Sequence, residues 1–160
     1  MACEVAIVGR TLLVGWAEPV VQADWAHLRK RIESECHIRD EIIVCADCRS
    51  LTEPMTGALE KDLRDLVMQE NPRLLRSALL VDANEFMLQL SEVVRRAANP
   101  RIRTFYTGDM LEGWLDVVLD PSESDAVHDF LQGAPLFKMP TVSVSPPPRP
   151  DYYGAFDAGF

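Results

Sequence analysis

The chain has 160 residues, of which 48% are hydrophobic and 26% charged, the size and composition of one ordinary globular domain with a tail. Lysine and arginine total 16 against 25 aspartate and glutamate residues, a net charge of −9 that argues against nucleic-acid partners. No apolar run is long enough for a membrane span, and no basic, signal-like segment opens the chain. We therefore expect a cytoplasmic protein without membrane insertion, whose partners are proteins, a second copy of the chain among them.

Residues 4–16 predict an N-terminal β-hairpin. Two apolar runs rich in β-branched residues flank Gly9 and Arg10, and glycine supplies the positive φ that a two-residue hairpin turn requires. A first helix is predicted over about 21–35, because apolar residues recur there every three or four positions. Those residues are Val21, Trp25, Leu28 and Ile32.

Two short apolar runs, 41–46 and 77–81, predict strands that are covered on both faces, since each is too brief for a helix. Between them lies an amphipathic segment that predicts a second helix over about 53–70. Thr52 is its expected N-cap, and Pro54 suits the first helical turn.

A third helix is predicted after the second apolar run. Asp82 and Glu85 have the spacing of a capping box, which makes Asp82 the expected N-cap, and the helix should end near Asn99. Residues 101–106 alternate between polar and apolar side chains, a pattern typical of an edge strand.

Two further helices and a tail complete the chain. Thr107 is the expected N-cap of a fourth helix, and a short fifth helix is predicted over about 122–132. From residue 133 onward the composition becomes proline-rich, so we divide the chain into a domain, 1–132, and a C-terminal tail, 133–160. The tail is expected to dock through large aromatic anchors on another protein, on a second copy of the chain or back on its own domain, and the alternative is a disordered terminus. These anchors are Tyr152, Tyr153, Phe156 and Phe160.

The order of elements predicts an α/β fold with a mostly parallel sheet of four or five strands, opened by the hairpin. Ile42 to Cys45 and Leu79 to Val81 should lie inside that sheet. Three segments carry a family resemblance: EVAIVGRTLLVGW, IIVCADCRSLTEPMTGAL and RIRTFYTGDMLEGWL. Through them the chain resembles, over about residues 3–120, the STAS-like, or anti-sigma-factor antagonist-like, domains of bacteria. It implies a non-enzymatic regulatory or scaffolding module that binds other proteins.

The resemblance also implies a switch before the second helix. In typical antagonists the loop after the third strand carries an Asp-Ser-Ser-Gly-like sequence, whose serine is phosphorylated by a partner kinase so that docking is lost. The matching residue here is Thr56, while Met55 stands in place of the acid and Gly57 in place of the second serine. We take Ser50, Thr52, Thr56 and Gly57 as the candidate switch loop. The alternative is that these hydroxyl groups only cap the helix and terminate the loop.

The pair Cys45 and Cys48 forms a CxxC motif, which can serve as a redox dithiol or as half of a zinc site. Cys45 ends an apolar strand rather than opening a helix, which favours buried structural thiols. No nucleotide-binding fingerprint or catalytic triad is legible, so no catalytic residue, cofactor or metal is predicted. A thiol redox protein and a carrier of a small ligand or lipid remain as alternatives, and the carrier would require an apolar pocket between sheet and helices.

Overall fold

The computed structural model describes residues 3–17, 20–68 and 72–136, which form five strands and five helices. In chain order these are β1 (Cys3–Val8), β2 (Thr11–Trp16), α1 (Gln22–Ile38), β3 (Ile42–Asp47), α2 (Gly57–Met68), β4 (Leu74–Leu80), α3 (Glu85–Ala97), β5 (Ile102–Phe105), α4 (Gly108–Leu115) and α5 (Pro121–Leu131).

The five strands form one sheet in the order β1-β2-β3-β4-β5. The pair β1-β2 is antiparallel, and every other pair is parallel. The α/β class and the mostly parallel sheet opened by a hairpin are confirmed. Gly9 has a φ of 60° in the hairpin turn, as the sequence predicts.

The central position of β3 explains its continuous apolar run. Ile42, Val44 and Ala46 pack on one face of the sheet against α1, α2 and α3, whereas Ile43 and Cys45 pack on the other face against α4 and α5. Successive side chains of a strand alternate between faces, so a strand between two helical layers must be apolar throughout. In and after β4, Leu80 and Val81 are buried and Leu79 is half-buried, which places this run inside the sheet as well.

Several boundaries differ from the sequence prediction. The first helix continues to Ile38, and β4 begins at Leu74 rather than at residue 77. Val21, predicted on the apolar stripe of α1, is instead its exposed N-cap residue. The structure confirms Thr107 as the N-cap of α4, where its hydroxyl accepts from the backbone N–H of Met110 at 3.3 Å.

The predicted N-cap of α3 is wrong. Asn84, not Asp82, caps the helix, and its side-chain oxygen accepts from the backbone N–H of Met87 at 2.8 Å. Val81, just before Asp82, is still bonded to the neighbouring strand, because its backbone N–H donates to the carbonyl of Phe105 at 2.9 Å. The helix therefore cannot begin where the local pattern places it.

A buried ion pair fixes the hairpin to the last helix. Glu123 in the first turn of α5 is fully buried, and its carboxylate accepts from the backbone N–H of Arg10 at 2.7 Å. It also accepts from Nη2 of Arg10 at 2.8 Å and from Nε at 3.2 Å. The same guanidinium donates to the carbonyl oxygen of Val118 at 2.6 Å. This clamp joins the turn between β1 and β2 to the connection between α4 and α5.

Candidate functional site

The candidate switch loop, residues 50–57, follows β3 at the edge of the sheet where its parallel strands end. The hydroxyl of Ser50 donates to the carbonyl oxygen of Trp16, so the loop is tied to the end of β2. Leu51 is buried, and its carbonyl oxygen accepts from Nδ2 of Asn84 at 3.2 Å. The start of the loop is therefore held to both β2 and α3, at the side of an α/β sheet that commonly carries ligand sites.

The second half of the loop corrects the predicted start of α2. The helix begins at Gly57 rather than at residue 53, so Thr52 and Pro54 precede it. Met55 is buried, and its backbone N–H donates to Oε1 of Gln89 at 2.7 Å. This contact with α3 holds the backbone before Thr56 in the loop.

Thr56 stands at the entrance of α2. Its hydroxyl oxygen accepts from the backbone N–H of Leu59 at 3.2 Å, which is the hydrogen bond of an N-cap. Ser50, Thr52, Thr56 and Gly57 are all exposed, and Thr56 directly precedes the first residue of α2. Backbone N–H groups and the helix dipole favour negative charge at this position.

The two cysteines of the CxxC motif do not face each other. Cys45 packs on the face of the sheet that carries α4 and α5, whereas Cys48 packs on the opposite face. Residues three apart in an extended chain point to opposite faces, a signal that the sequence already contained. Burial raises the pKa of both thiols far above the ordinary value, and the neighbouring carboxylate of Asp47 raises it further. Both remain thiols, an arrangement that does not favour dithiol chemistry.

The pKa of a third buried thiol, that of Cys3, is also raised. Burial, followed by the charge of Asp24, raises the pKa of Cys3 to about 11. Across the described ranges, 3–17, 20–68 and 72–136, no group of three or more histidine, cysteine, aspartate or glutamate side chains could hold a metal ion.

Two cavities adjoin helices α1 to α3, one between these helices and the sheet and one between the helices and the switch loop. The first, the core cavity, has a volume of about 70 Å³ and an almost wholly apolar lining. The second, the loop cavity, has a volume of about 120 Å³ and is bounded by the switch loop. Trp25 of α1 and Phe86 of α3 line both cavities. The core cavity is apolar and lies between sheet and helices, as the carrier alternative requires, but its volume is less than half of the about 150 Å³ of an engineered cavity that binds benzene.

The sequence reasoning missed Trp25 and Phe86 as site residues. Their helical spacing marks them only as core positions, and nothing local shows that α1, α3 and the switch loop meet. The ring centroids of Trp25 and Trp16 lie 4.6 Å apart, which links the cavity wall to β2.

The predicted docking anchors Tyr152, Tyr153, Phe156 and Phe160 lie outside the described residues. The last described residue, Leu136, packs against the core on the face that carries α4 and α5, close to Gly15 of β2.

Comparisons with known protein families, with curated proteins and with solved structures found no match for this chain. None of the helices in the described ranges is both long enough and apolar enough to cross a bilayer.

Proposed function

We propose that this protein is a non-enzymatic, STAS-like regulatory module of bacteria that binds a protein partner through the switch loop, residues 50–57. The observation that carries the proposal is the position of Thr56, an exposed hydroxyl at the N-terminus of the helix that follows the central strand. This is the place where the STAS-like resemblance puts the regulatory residue. Six of the eight loop residues are exposed, the four candidate residues among them, and they form a surface that a partner can reach.

The loop is built to respond to a charge at Thr56. A phosphate adds a charge of about −1.5 to −2 and three acceptor oxygens. The N–H groups of α2 stabilise such a group within the domain. A partner that docks here must then remove that charge from water, which weakens binding unless the partner supplies a cation. Phosphorylation would therefore lower affinity without unfolding the domain.

The test begins with a photo-crosslinking amino acid at the exposed Thr52, four residues before the cap, which identifies the partner. The affinity of that partner is then measured by titration for the unmodified chain, for Thr56→Glu and for Ser122→Glu. Ser122 is a matched control, because it is an exposed hydroxyl residue in the first turn of α5, whose residues pack on the other face of the sheet. We expect Thr56→Glu to weaken binding at least tenfold and Ser122→Glu to leave it unchanged. Equal affinity of all three chains would contradict the switch.

The predicted tail, residues 133–160, is a second candidate contact for the same partner. A chain that ends at residue 140 should then bind more weakly and still respond to Thr56→Glu.

A second candidate function is the carriage of a small ligand, which the two cavities beside Trp25 favour. The thiol redox alternative loses support, because Cys45 and Cys48 are buried on opposite faces of the sheet.

A further inference from the structure

Two arginine side chains stack on the indole ring of Trp114, on the face of the sheet that carries α4 and α5. The guanidinium carbon of Arg76 in β4 lies 4.6 Å from the ring centroid, and that of Arg103 in β5 lies 5.7 Å from it. Arg76 also donates to the carbonyl oxygen of Trp114, which holds this guanidinium against α4. Cation–π contacts position a charged group at a surface without neutralising it. We call Arg76, Arg103 and Trp114 the arginine–tryptophan patch.

Neither guanidinium of the patch is paired with a carboxylate. Among the described residues, every ion pair of an arginine with an aspartate or glutamate involves an arginine outside the patch. Two acids near the end of α4 are bonded to α5 instead, because Glu112 lies 3.0 Å from Nδ1 of His128 and Asp116 accepts from the hydroxyl of Ser124 at 2.8 Å. The patch therefore keeps two positive charges for an anion from outside the folded core, on a chain of net charge −9.

Exposed apolar surface adjoins these charges. Trp114 is half-buried, and Met110, one turn earlier on the same side of α4, is 66% exposed. Val117, three residues after Trp114, is 74% exposed. Arginine, methionine and aromatic side chains are enriched where proteins bind one another, and a guanidinium matches the geometry of a carboxylate. An occupant of the patch should therefore combine carboxylates with aromatic rings.

The C-terminal end of this chain has that chemistry. Residues 150–160, PDYYGAFDAGF, contain two aspartates, four aromatic residues and no lysine or arginine. A segment tethered to the domain reaches an effective concentration in the millimolar range, so weak contacts suffice to hold it. An acidic peptide of another protein has no such advantage, and it must approach a chain that is itself negative.

The tail starts on the correct face of the sheet and is long enough. Leu136, the last described residue, packs on the same face as Trp114, close to Gly15 of β2. Neighbouring strands lie about 4.8 Å apart, so β5, three strands from β2, is about 14 Å away across the sheet. Residues 137–149 span up to about 40 Å when extended, which allows a path around α4 and α5.

We propose that the acidic, aromatic segment 150–160 docks on the arginine–tryptophan patch of its own domain. Its carboxylates pair with the two guanidinium groups, and its aromatic rings pack beside Trp114 and Met110. This inference goes beyond the proposed function, because the patch is separate from the switch loop and its occupation does not depend on Thr56. A protein partner that contacts the tail must then compete with the patch for it.

The test uses the full chain with a nitroxide spin label on Ala158→Cys, inside the docking segment. The native cysteines are buried, so the new thiol is the one that reacts. NMR measures the paramagnetic loss of the ¹⁵N indole signals, and Trp114→Phe assigns the signal of Trp114. We expect the label to reduce this signal to about half or less, because the tethered segment is mostly bound. The signal of Trp25, on the other face of the sheet, should be unchanged.

Charge-matched variants identify what holds the segment. Arg103→Gln removes an exposed charge from the patch and should restore most of the Trp114 signal. Arg96→Gln removes an exposed arginine from α3, on the other face of the sheet, and should restore none. Asp151→Asn combined with Asp157→Asn tests the same contact from the tail, outside the folded core. Raising NaCl from about 50 to about 500 mM should also restore the signal, since salt screens ion pairs between exposed groups.

Three results would overturn the proposal. Equal losses at Trp114 and Trp25, or no loss at either, would show that the segment is not held at the patch. A loss at Trp114 that persists in Arg103→Gln and in the double asparagine variant would show that the arginines do not bind the carboxylates. A loss that arises only when a spin-labelled chain is mixed with a separate ¹⁵N-labelled chain would place the segment on a second copy. None of these results bears on the switch loop, which is judged by the partner affinity of Thr56→Glu.

Discussion

The buried clamp between the hairpin and α5 should be among the most sensitive polar contacts of the fold, and Glu123→Gln tests it. The Glu123 carboxylate accepts three hydrogen bonds from Arg10 and one from the backbone N–H of Asp120 at 3.0 Å. Glutamine keeps the size of the side chain but replaces one acceptor oxygen with a donor. That donor must then face the donors of Arg10, and the attraction between the charges is lost.

The expected loss in free energy of unfolding for Glu123→Gln follows from the burial of the ion pair. Removing one partner of a fully buried ion pair costs about 3–5 kcal/mol. The Arg10 side chain is 32% exposed, so its charge regains water and keeps a second carboxylate, that of Glu41. We therefore expect a loss near or just below that range, about 2–3 kcal/mol in the free energy of unfolding.

The matched control is Glu41→Gln, because Glu41 binds the same guanidinium at 2.7 Å from a side chain that is 49% exposed. Exposed pairs contribute about 0–1 kcal/mol, so this variant should lose under about 1 kcal/mol. Urea unfolding followed by tryptophan fluorescence gives both free energies of unfolding. The slope of the free energy against urea concentration should be the same in both variants as in the unmodified chain. Equal losses in the two variants, or a loss under about 1 kcal/mol for Glu123→Gln, would refute the role of burial.

Two further predictions concern single polar groups. Thr11 is fully buried, and its hydroxyl has no hydrogen-bond partner among the described residues. Thr11→Val should therefore raise the free energy of unfolding, measured with urea, by about 1 kcal/mol. A loss of stability would show that the hydroxyl is hydrogen-bonded. The Glu112 carboxylate, 3.0 Å from Nδ1 of His128, raises the pKa of that histidine. The pairing of His128 with Glu112 stabilises the fold fully below the pKa of histidine in the unfolded chain, about 6.5. This stabilisation is lost as the pH rises through the raised pKa of His128 in the folded protein. His128→Asn should therefore lower Tm more at pH 5.5 than at pH 8.5, and an equal decrease at both would contradict the pairing.

Much of the architecture is encoded locally. The apolar runs that became β3 and β4 are recognisable because a strand between two helical layers is apolar on both faces. The hairpin follows from Gly9, whose positive φ needs no tertiary support. Thr107 caps its helix as predicted, since the hydroxyl and the N–H that it satisfies lie within one turn.

Features that depend on contacts between residues distant in sequence were decided only by the tertiary structure. The start of α2 moved to Gly57, because Met55 is buried and hydrogen-bonded to Gln89 of α3, and the sequence around the helix contains no trace of that contact. The buried indole N–H of Trp25, which has no hydrogen-bond partner among the described residues, and the cavities that this side chain lines have the same origin. Periodicity shows that a side chain is buried, but only the packing of separate elements determines whether it finds a partner and whether space is left beside it.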